Sequence, residues 1–165
     1  MEVEIMGKTL VAYFSCSGVT ETLAKSLASI VNGDMYKIEP AVPYTETDLN
    51  WHDQQARSTI EMHNKKSRPA IAGKVLNMDD YNVVYVGFPI WWYIAPTIIN
   101  TSLESYDFSG KTVVPFATSG TSGVGETDKW LRTSCSKDTK WYPAKRFGQP
   151  FNKTDLQAWV ENPKA

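Results

Sequence analysis

The sequence predicts an α/β fold in which a doubly wound parallel sheet carries helices on both of its faces. Short apolar runs alternate with amphipathic helical segments along the chain, which is the order of a parallel sheet joined by right-handed crossovers. The two strongest runs, 82–88 and 112–118, are apolar almost throughout, as in strands buried on both sides. No repeat, low-complexity tract or linker interrupts the order, so a single domain is predicted over residues 8–161.

Each predicted element follows from a local pattern. A buried strand over 9–14 precedes a helix over about 19–32, in which Leu23, Leu27, Ile30 and Val31 share one face. The run Asn152-Lys153-Thr154-Asp155 predicts a cap for the last helix. The remaining predicted strands are 35–38, 82–88, 112–118 and a weaker 140–143; the remaining predicted helices are about 95–105, 123–135 and 153–161.

One polar stretch, residues 42–73, lies between the second and third predicted strands; we call it the excursion. Ala56 and Ile60 give a thin apolar stripe that predicts a loosely attached helix over 53–64. Long excursions in compact domains are often lids or binding loops, although a solvated connection is the commoner case. Both interpretations stay open from the sequence. His52 and His63 lie in this stretch and are expected to be surface residues.

Composition narrows the classes of function and partner. The 165 residues suffice for one sizeable core, and 17 basic against 18 acidic residues leave no large basic field for nucleic acid. No apolar run approaches the roughly 20 residues of a membrane span. Residues 1–6 lack the order of a signal peptide, which predicts a cytoplasmic protein. Cys16 and Cys135 are too few for a disulfide scaffold and lack metal-ligand spacing.

A hydroxyl-rich turn between the first strand and the first helix is suited to a phosphate. Its free N–H groups and the helix dipole favour an anion, and its hydroxyls add donors. It contains no Lys or Arg and no Walker pattern, which suits a phosphate that stays bound. An ordinary capped helix start is the alternative. The turn comprises Ser15, Cys16, Ser17, Gly18, Val19 and Thr20.

Two further strand ends should meet this turn, because ligands of open parallel sheets lie beyond the carboxyl ends of the strands. An aromatic loop follows the third strand and a glycine-rich loop follows the fourth. Together they predict a phosphorylated ligand with a flat polar ring, although the aromatic side chains also suit core packing. The residues predicted to contact the ring are Pro89, Ile90, Trp91, Trp92, Tyr93, Thr118, Ser119, Gly120, Ser122 and Gly123.

The three motifs Tyr-Phe-Ser-x-Ser-Gly-x-Thr, Gly-x-Pro-x-Trp-Trp and Thr-Ser-Gly-x-Ser-Gly resemble those of the flavodoxin family, over about 8–159. The resemblance implies a flavodoxin-like, five-stranded sheet of order 2-1-3-4-5 and one non-covalently held FMN. It implies that the FMN phosphate lies in the turn from Ser15 to Thr20. It also implies that the isoalloxazine lies between the loops Pro89 to Tyr93 and Ser119 to Gly123.

The resemblance favours an electron-transfer protein that exchanges electrons with a redox partner protein. Two departures favour an alternative, an NAD(P)H-dependent FMN oxidoreductase acting on a quinone-like or other small-molecule acceptor. The chain is nearly neutral where electron carriers of the family are strongly acidic, and the loop after the fourth strand holds no aromatic residue. Whether the chain is an enzyme and how it oligomerises stay open. The flavin carries the chemistry in either case, so no catalytic residue and no metal ligand is assigned.

Overall fold

The computed structural model describes residues 8–164, and residues 1–6, whose composition argued against a signal peptide, lie outside the described part. A parallel sheet forms the centre of the molecule. Its strands are β1 Lys8–Tyr13, β2 Asp34–Lys37, β3 Tyr81–Pro89, β4 Thr112–Thr118, β5 Lys140–Trp141 and β6 Lys145–Phe147. The first five follow the order β2-β1-β3-β4-β5, which confirms the predicted order, and the short β6 pairs with the same edge of β4 as β5.

Helices cover both faces of the sheet. Successive residues of a strand point to opposite faces, so each strand packs against helices on both sides. On β1, Val11 and Tyr13 pack with the buried residues of the first and last helices, whereas Leu10 and Ala12 pack with those of the third and fourth. Two apolar clusters therefore stabilise the fold, one on each face. The helices are α1 Val19–Val31, α2 Arg57–Met62, α3 Thr97–Glu104, α4 Thr127–Arg132 and α5 Lys153–Glu161.

The fifth sheet position consists of two short strands where the sequence predicted one over 140–143. The backbone N–H of Tyr142 still donates to the Val113 carbonyl at 3.2 Å. Pro143 has no N–H to continue the ladder, so pairing stops there and resumes at Lys145. The interruption brings β6 alongside the last residues of β4, next to the glycine-rich loop.

The first helix ends as its sequence predicts and supports the turn before it. Leu23 and Leu27 are fully buried, which fixes the helix against the sheet. Asn32 takes the left-handed conformation at φ 54°, and its N–H bonds to the Ala28 carbonyl.

At the other end of the chain, the Asn152 side chain accepts hydrogen bonds from the N–H groups of Thr154 and Asp155, which confirms the predicted cap.

The excursion is tethered at its base and packed at its start. An antiparallel bridge joins Pro40 to Ile71, and two backbone hydrogen bonds flank the bridge. The excursion contains the single turn-and-a-half helix α2, shorter than the predicted 53–64. The bridge closes the excursion into a loop, and near its start the Tyr44 ring packs against Phe14, the residue after β1.

Candidate functional site

The three predicted loops lie side by side at the carboxyl edge of the sheet. The N–H of Phe14 donates to the Gly87 carbonyl at 2.9 Å, and the N–H of Ile90 donates to the Thr118 carbonyl at 3.0 Å. These bonds continue the pairing of β1, β3 and β4 to the points where the loops begin. A Cβ added at Gly87 would lie 2.2 Å from the Phe116 ring, so glycine is required where the two strands pack closely.

The hydroxyl-rich turn is built around the Ser15 side chain. Its Oγ accepts hydrogen bonds from the N–H groups of Gly18 at 3.1 Å and Glu21 at 3.3 Å. Gly18 has φ 92°, a left-handed conformation that a side chain would strain. The Gly18 carbonyl accepts from both the N–H and the hydroxyl of Thr22. The Ser15 oxygen therefore shapes the turn from inside.

A row of unpaired donors remains on the outer side of this turn. Within residues 8–164, the N–H groups of Cys16, Ser17, Val19 and Thr20 have no hydrogen-bond partner, and the exposed Ser17 hydroxyl has none either. They precede and begin the 13-residue helix α1, whose dipole adds partial positive charge. Such a set fits a phosphate group, whose oxygens are strong acceptors.

Thr20 has a different environment from the one that its motif suggested. The residue is 2% exposed, and its hydroxyl lies 2.7 Å from the hydroxyl of Thr118 at the end of β4. This buried pair connects the phosphate turn directly to the loop that follows β4. The Thr20 side chain thus fixes the relative position of two loops, while its backbone N–H stays free.

The thiol of Cys16 is held in its protonated form. Although Cys16 is exposed to solvent, partial desolvation raises the pKa of its thiol to about 11, against the opposing influence of Arg57 and Lys37. Desolvation therefore outweighs the effect of the helix N-terminus, which alone would lower the pKa of a thiol. At neutral pH the group is a neutral thiol.

The aromatic loop is a two-residue hairpin. Trp91 and Ile94 exchange backbone hydrogen bonds at 3.0 and 3.2 Å, and Trp92 and Tyr93 form the turn with φ 48° and 70°. Two consecutive positive φ values are typical of a type I′ turn, which normally uses Asn or Gly. Large aromatic residues here store backbone strain, a property that clusters at ligand sites.

The three aromatic side chains of this loop have different environments. Trp91 packs edge-on against Phe14 and Tyr44, with ring centroids 5.6 and 5.4 Å apart, and so belongs to the wall beneath the site. Trp92 is half-buried and faces His63 at 6.0 Å. Tyr93 is 68% exposed at the rim. Pro89 and Ile90 connect β3 to the hairpin and are also half-buried.

The glycine-rich loop is held by a residue that the motifs did not indicate. Arg146 on β6 donates from Nε to the Ser119 hydroxyl at 3.0 Å and from a terminal nitrogen to the Ser119 carbonyl at 2.9 Å. The same terminal nitrogen also bonds to the Gly120 carbonyl, and the Ser119 hydroxyl donates to the Ser122 carbonyl. The exposed Gly120 and Gly123 have no atom within 4 Å of where a Cβ would stand, so this surface is open to a ligand.

A half-buried polar cluster within the excursion holds Tyr44, whose ring packs against Phe14 and Trp91. The guanidinium of Arg57 lies 3.9 Å above the Tyr44 ring and 2.9 Å from a carboxylate oxygen of Glu61. The Tyr44 hydroxyl donates to the other carboxylate oxygen at 2.5 Å. Burial first, and then this hydrogen bond with Glu61, raise the pKa of Tyr44 far above its usual range. The spacing Arg57–Glu61 is a helical i, i+4 pair and was readable from the sequence, but its contact with Tyr44 was not.

An open cavity of about 490 Å³ lies between the excursion and the aromatic loop. Both histidines of the chain are exposed, as expected, and both line this cavity. Their eleven-residue spacing gave no sign of that, because the excursion has little regular structure. The lining residues are Trp51, His52, Gln54, Thr59, His63 and Trp92.

Asp79, Asp80 and Asp107, which lie before β3 and β4, are remote from the three loops at the opposite edge of the sheet. Within the described residues, no cluster of His, Cys, Asp or Glu has the arrangement of a metal site. None of the helices in 8–164 has the length and hydropathy that a membrane span requires.

Comparison with known proteins identifies close structural relatives. A family model described as Flavodoxin matches residues 8–163. Crystal structures of candidate flavoproteins from Bacteroides uniformis and Bacteroides eggerthii are 46% and 44% identical to this chain, with TM-scores of 0.89 and 0.86. The two matches cover 94% of this chain and 99% and 96% of theirs. No curated protein matches the sequence.

A more distant match shares the fold. The crystal structure of a flavoprotein from Lactobacillus acidophilus in complex with FMN is 21% identical to this chain, with a TM-score of 0.66. The match covers 93% of this chain and 99% of that one. The order of the sheet is thus that of a known fold, and the Lactobacillus acidophilus protein with this fold was crystallised in complex with FMN.

Proposed function

We propose, from the premise that the chain belongs to the flavodoxin family, that it is an FMN-binding electron-transfer protein. The observation that carries the proposal is the row of unpaired N–H groups in the turn before α1, which fits a terminal phosphate. The FMN-bound Lactobacillus acidophilus protein of the same fold supports the same ligand. Bound FMN would supply the redox chemistry, and the chain would bind it and control access to it.

Each loop would hold a different part of the cofactor. The N–H groups of Cys16, Ser17, Val19 and Thr20, together with the Ser17 hydroxyl, would hold the phosphate. The hairpin from Pro89 to Tyr93 would flank the ring on one side. The open glycine surface from Ser119 to Gly123, held by Arg146, would approach its polar edge. We assign no proton transfer to any side chain in this function.

The cofactor assignment predicts that the purified protein contains FMN in a 1:1 ratio and no FAD. A single phosphate turn is present, and the sequence has no Gly-x-Gly-x-x-Gly fingerprint for an adenosine half. Flavin released by denaturation, separated by chromatography and quantified against the protein, gives both the identity and the ratio. A colourless protein that takes up no added FMN contradicts the proposal, whereas bound FAD contradicts only the choice of cofactor.

A second function, reduction of a small-molecule acceptor by NAD(P)H, is favoured by one observation. The cavity of about 490 Å³ borders Trp92 and is open to solvent, so a flavin ring bound beside Trp92 would leave room for a further molecule. This volume lies within the roughly 300–1,000 Å³ of small-molecule pockets. A pure carrier between protein partners has no need of such a space. The two functions therefore differ in which small molecules reach the site.

A further inference from the structure

The Arg146 side chain fixes the direction of two consecutive peptide units in the glycine-rich loop. One terminal nitrogen donates to the carbonyl oxygens of Ser119 and Gly120, while Nε donates to the Ser119 hydroxyl. Both peptide units are trans, so in each of them the N–H points in the direction opposite to the C=O. The N–H groups of Gly120 and Thr121 therefore point away from the guanidinium.

These two N–H groups are available to a ligand. Within residues 8–164 neither of them has a hydrogen-bond partner, and both Gly120 and Thr121 are exposed. Strands β3 and β6 lie on opposite edges of β4, so the strand that carries Arg146 and the strand that leads into the aromatic loop flank β4 from different sides. Two adjacent, oriented N–H donors stabilise an oxygen that carries negative charge.

The charge of Arg146 has no carboxylate partner. The side chain is half-buried, and within residues 8–164 it takes part in no ion pair. The carboxylate of Asp128 accepts from the N–H of Ala144, two residues earlier, but forms no ion pair with the guanidinium. A cation bound to a carbonyl oxygen polarises the peptide unit, which strengthens its N–H as a donor. Arg146 thus both orients and polarises the two units.

We propose that Arg146 is a positioning residue that stabilises the reduced flavin more than the oxidised flavin. The proposal rests on the proposed function, in which the loop from Ser119 to Gly123 approaches the polar edge of the ring. Two electrons from the redox partner and one proton taken up at N5 leave one negative charge on the reduced ring, shared by N1 and the C2 carbonyl oxygen. The oriented N–H groups and the guanidinium behind them favour this charge and raise the reduction potential.

The test compares the FMN-loaded protein with its Arg146→Ala variant during stepwise reduction by dithionite in the presence of an indicator dye. We expect Arg146→Ala to weaken the binding of reduced FMN about tenfold more than that of oxidised FMN, because contacts with a charged group are lost. This tenfold difference lowers the two-electron midpoint potential by about 30 mV. Riboflavin should show the same shift, because the effect acts on the ring and not on the phosphate.

Two further variants separate the position of the charge from its presence. Lys145→Ala removes a positive charge from the exposed neighbour on the same strand and should leave the midpoint potential unchanged. Arg146→Lys keeps the charge, but a single ammonium lacks the fork that holds the loop. Its potential should lie between those of the wild-type protein and Arg146→Ala. This milder variant also tests the proposal if Arg146→Ala does not fold.

Equal losses of affinity for oxidised and reduced FMN in Arg146→Ala would overturn the proposal, because the side chain would then only order the loop. A shift of the same size in Lys145→Ala also overturns it, as does a wild-type potential in Arg146→Lys. A chain that binds neither FMN nor riboflavin refutes the proposed function and this inference together. Flavin binding with no change of potential in the Arg146 variants refutes the inference alone.

Discussion

Ser17 and Thr20 both carry a hydroxyl in the turn before α1, and the structure places them in opposite environments. Ser17 is exposed, with no partner for its hydroxyl within the described residues. Thr20 is buried and paired with Thr118. Only the first is free to contact a phosphate without first breaking a bond. The sequence motif contains both hydroxyls and cannot tell them apart, because the partner of Thr20 lies 98 residues further along the chain.

We expect Ser17→Ala to weaken FMN binding by about 1–3 kcal/mol, the effect of one hydrogen bond to a charged group. Riboflavin, which has no phosphate, should bind both proteins equally. The matched control is Ser29→Ala. Ser29 is also an exposed serine, but it lies in helix α1 far from the first turn. Fluorescence titration with each flavin gives the dissociation constants. Equal losses for FMN and riboflavin would place the phosphate elsewhere.

At the scale of elements, β6 determines the shape of the loop after β4. Arg146 binds the hydroxyl and carbonyl of Ser119 and the carbonyl of Gly120, so one side chain orders an otherwise glycine-rich segment. No ion pair with a carboxylate holds this guanidinium within residues 8–164. Its hydrogen bonds to the loop are therefore the contacts that fix it, and the fork geometry of Arg suits two neighbouring carbonyls.

Removal of the Arg146 side chain should weaken the binding of the flavin ring and leave the contacts with the phosphate unchanged. We expect Arg146→Ala to lower the affinities for FMN and for riboflavin by a similar factor, about tenfold, because hydrogen bonds from a charged donor are lost and the loop is no longer ordered. Arg146→Lys should restore only part of the affinity. Lys145→Ala is the control, as Lys145 is the exposed neighbour on the same strand. A loss confined to FMN would contradict this role.

The elements that the sequence predicted well are those in which local pattern and tertiary environment agree. The bounds of β4 and α5 match their predicted ranges, since an apolar run and a capped amphipathic segment need no distant partner to define them. The divided fifth strand was missed because Pro143 was taken as part of a strand. Arg146 and Tyr44 could not be found, because their partners lie on other elements and only folding brings them together.

At the scale of the whole molecule, charge separates this chain from carriers that rely on electrostatic steering. With 17 basic and 18 acidic residues, the formal net charge is −1, so long-range attraction of a charged partner is weak. Selectivity must then come from contacts at the site itself. Those contacts are aromatic and uncharged at the open cavity and provided by backbone N–H groups at the phosphate turn.

This distribution predicts which small molecules exchange electrons with the FMN-loaded protein. Neither NADH nor NADPH should bleach the flavin within seconds under anaerobic conditions, because the open cavity has no cationic side chain for the dinucleotide phosphates. Stopped-flow absorbance at low and high ionic strength measures this, and the result should be the same at both, given the small net charge. As a control, dithionite should bleach the same sample, which shows that the flavin is reducible. Rapid, saturable bleaching by either nicotinamide would make the protein an NAD(P)H-dependent oxidoreductase and would refute electron transfer between other molecules as its function.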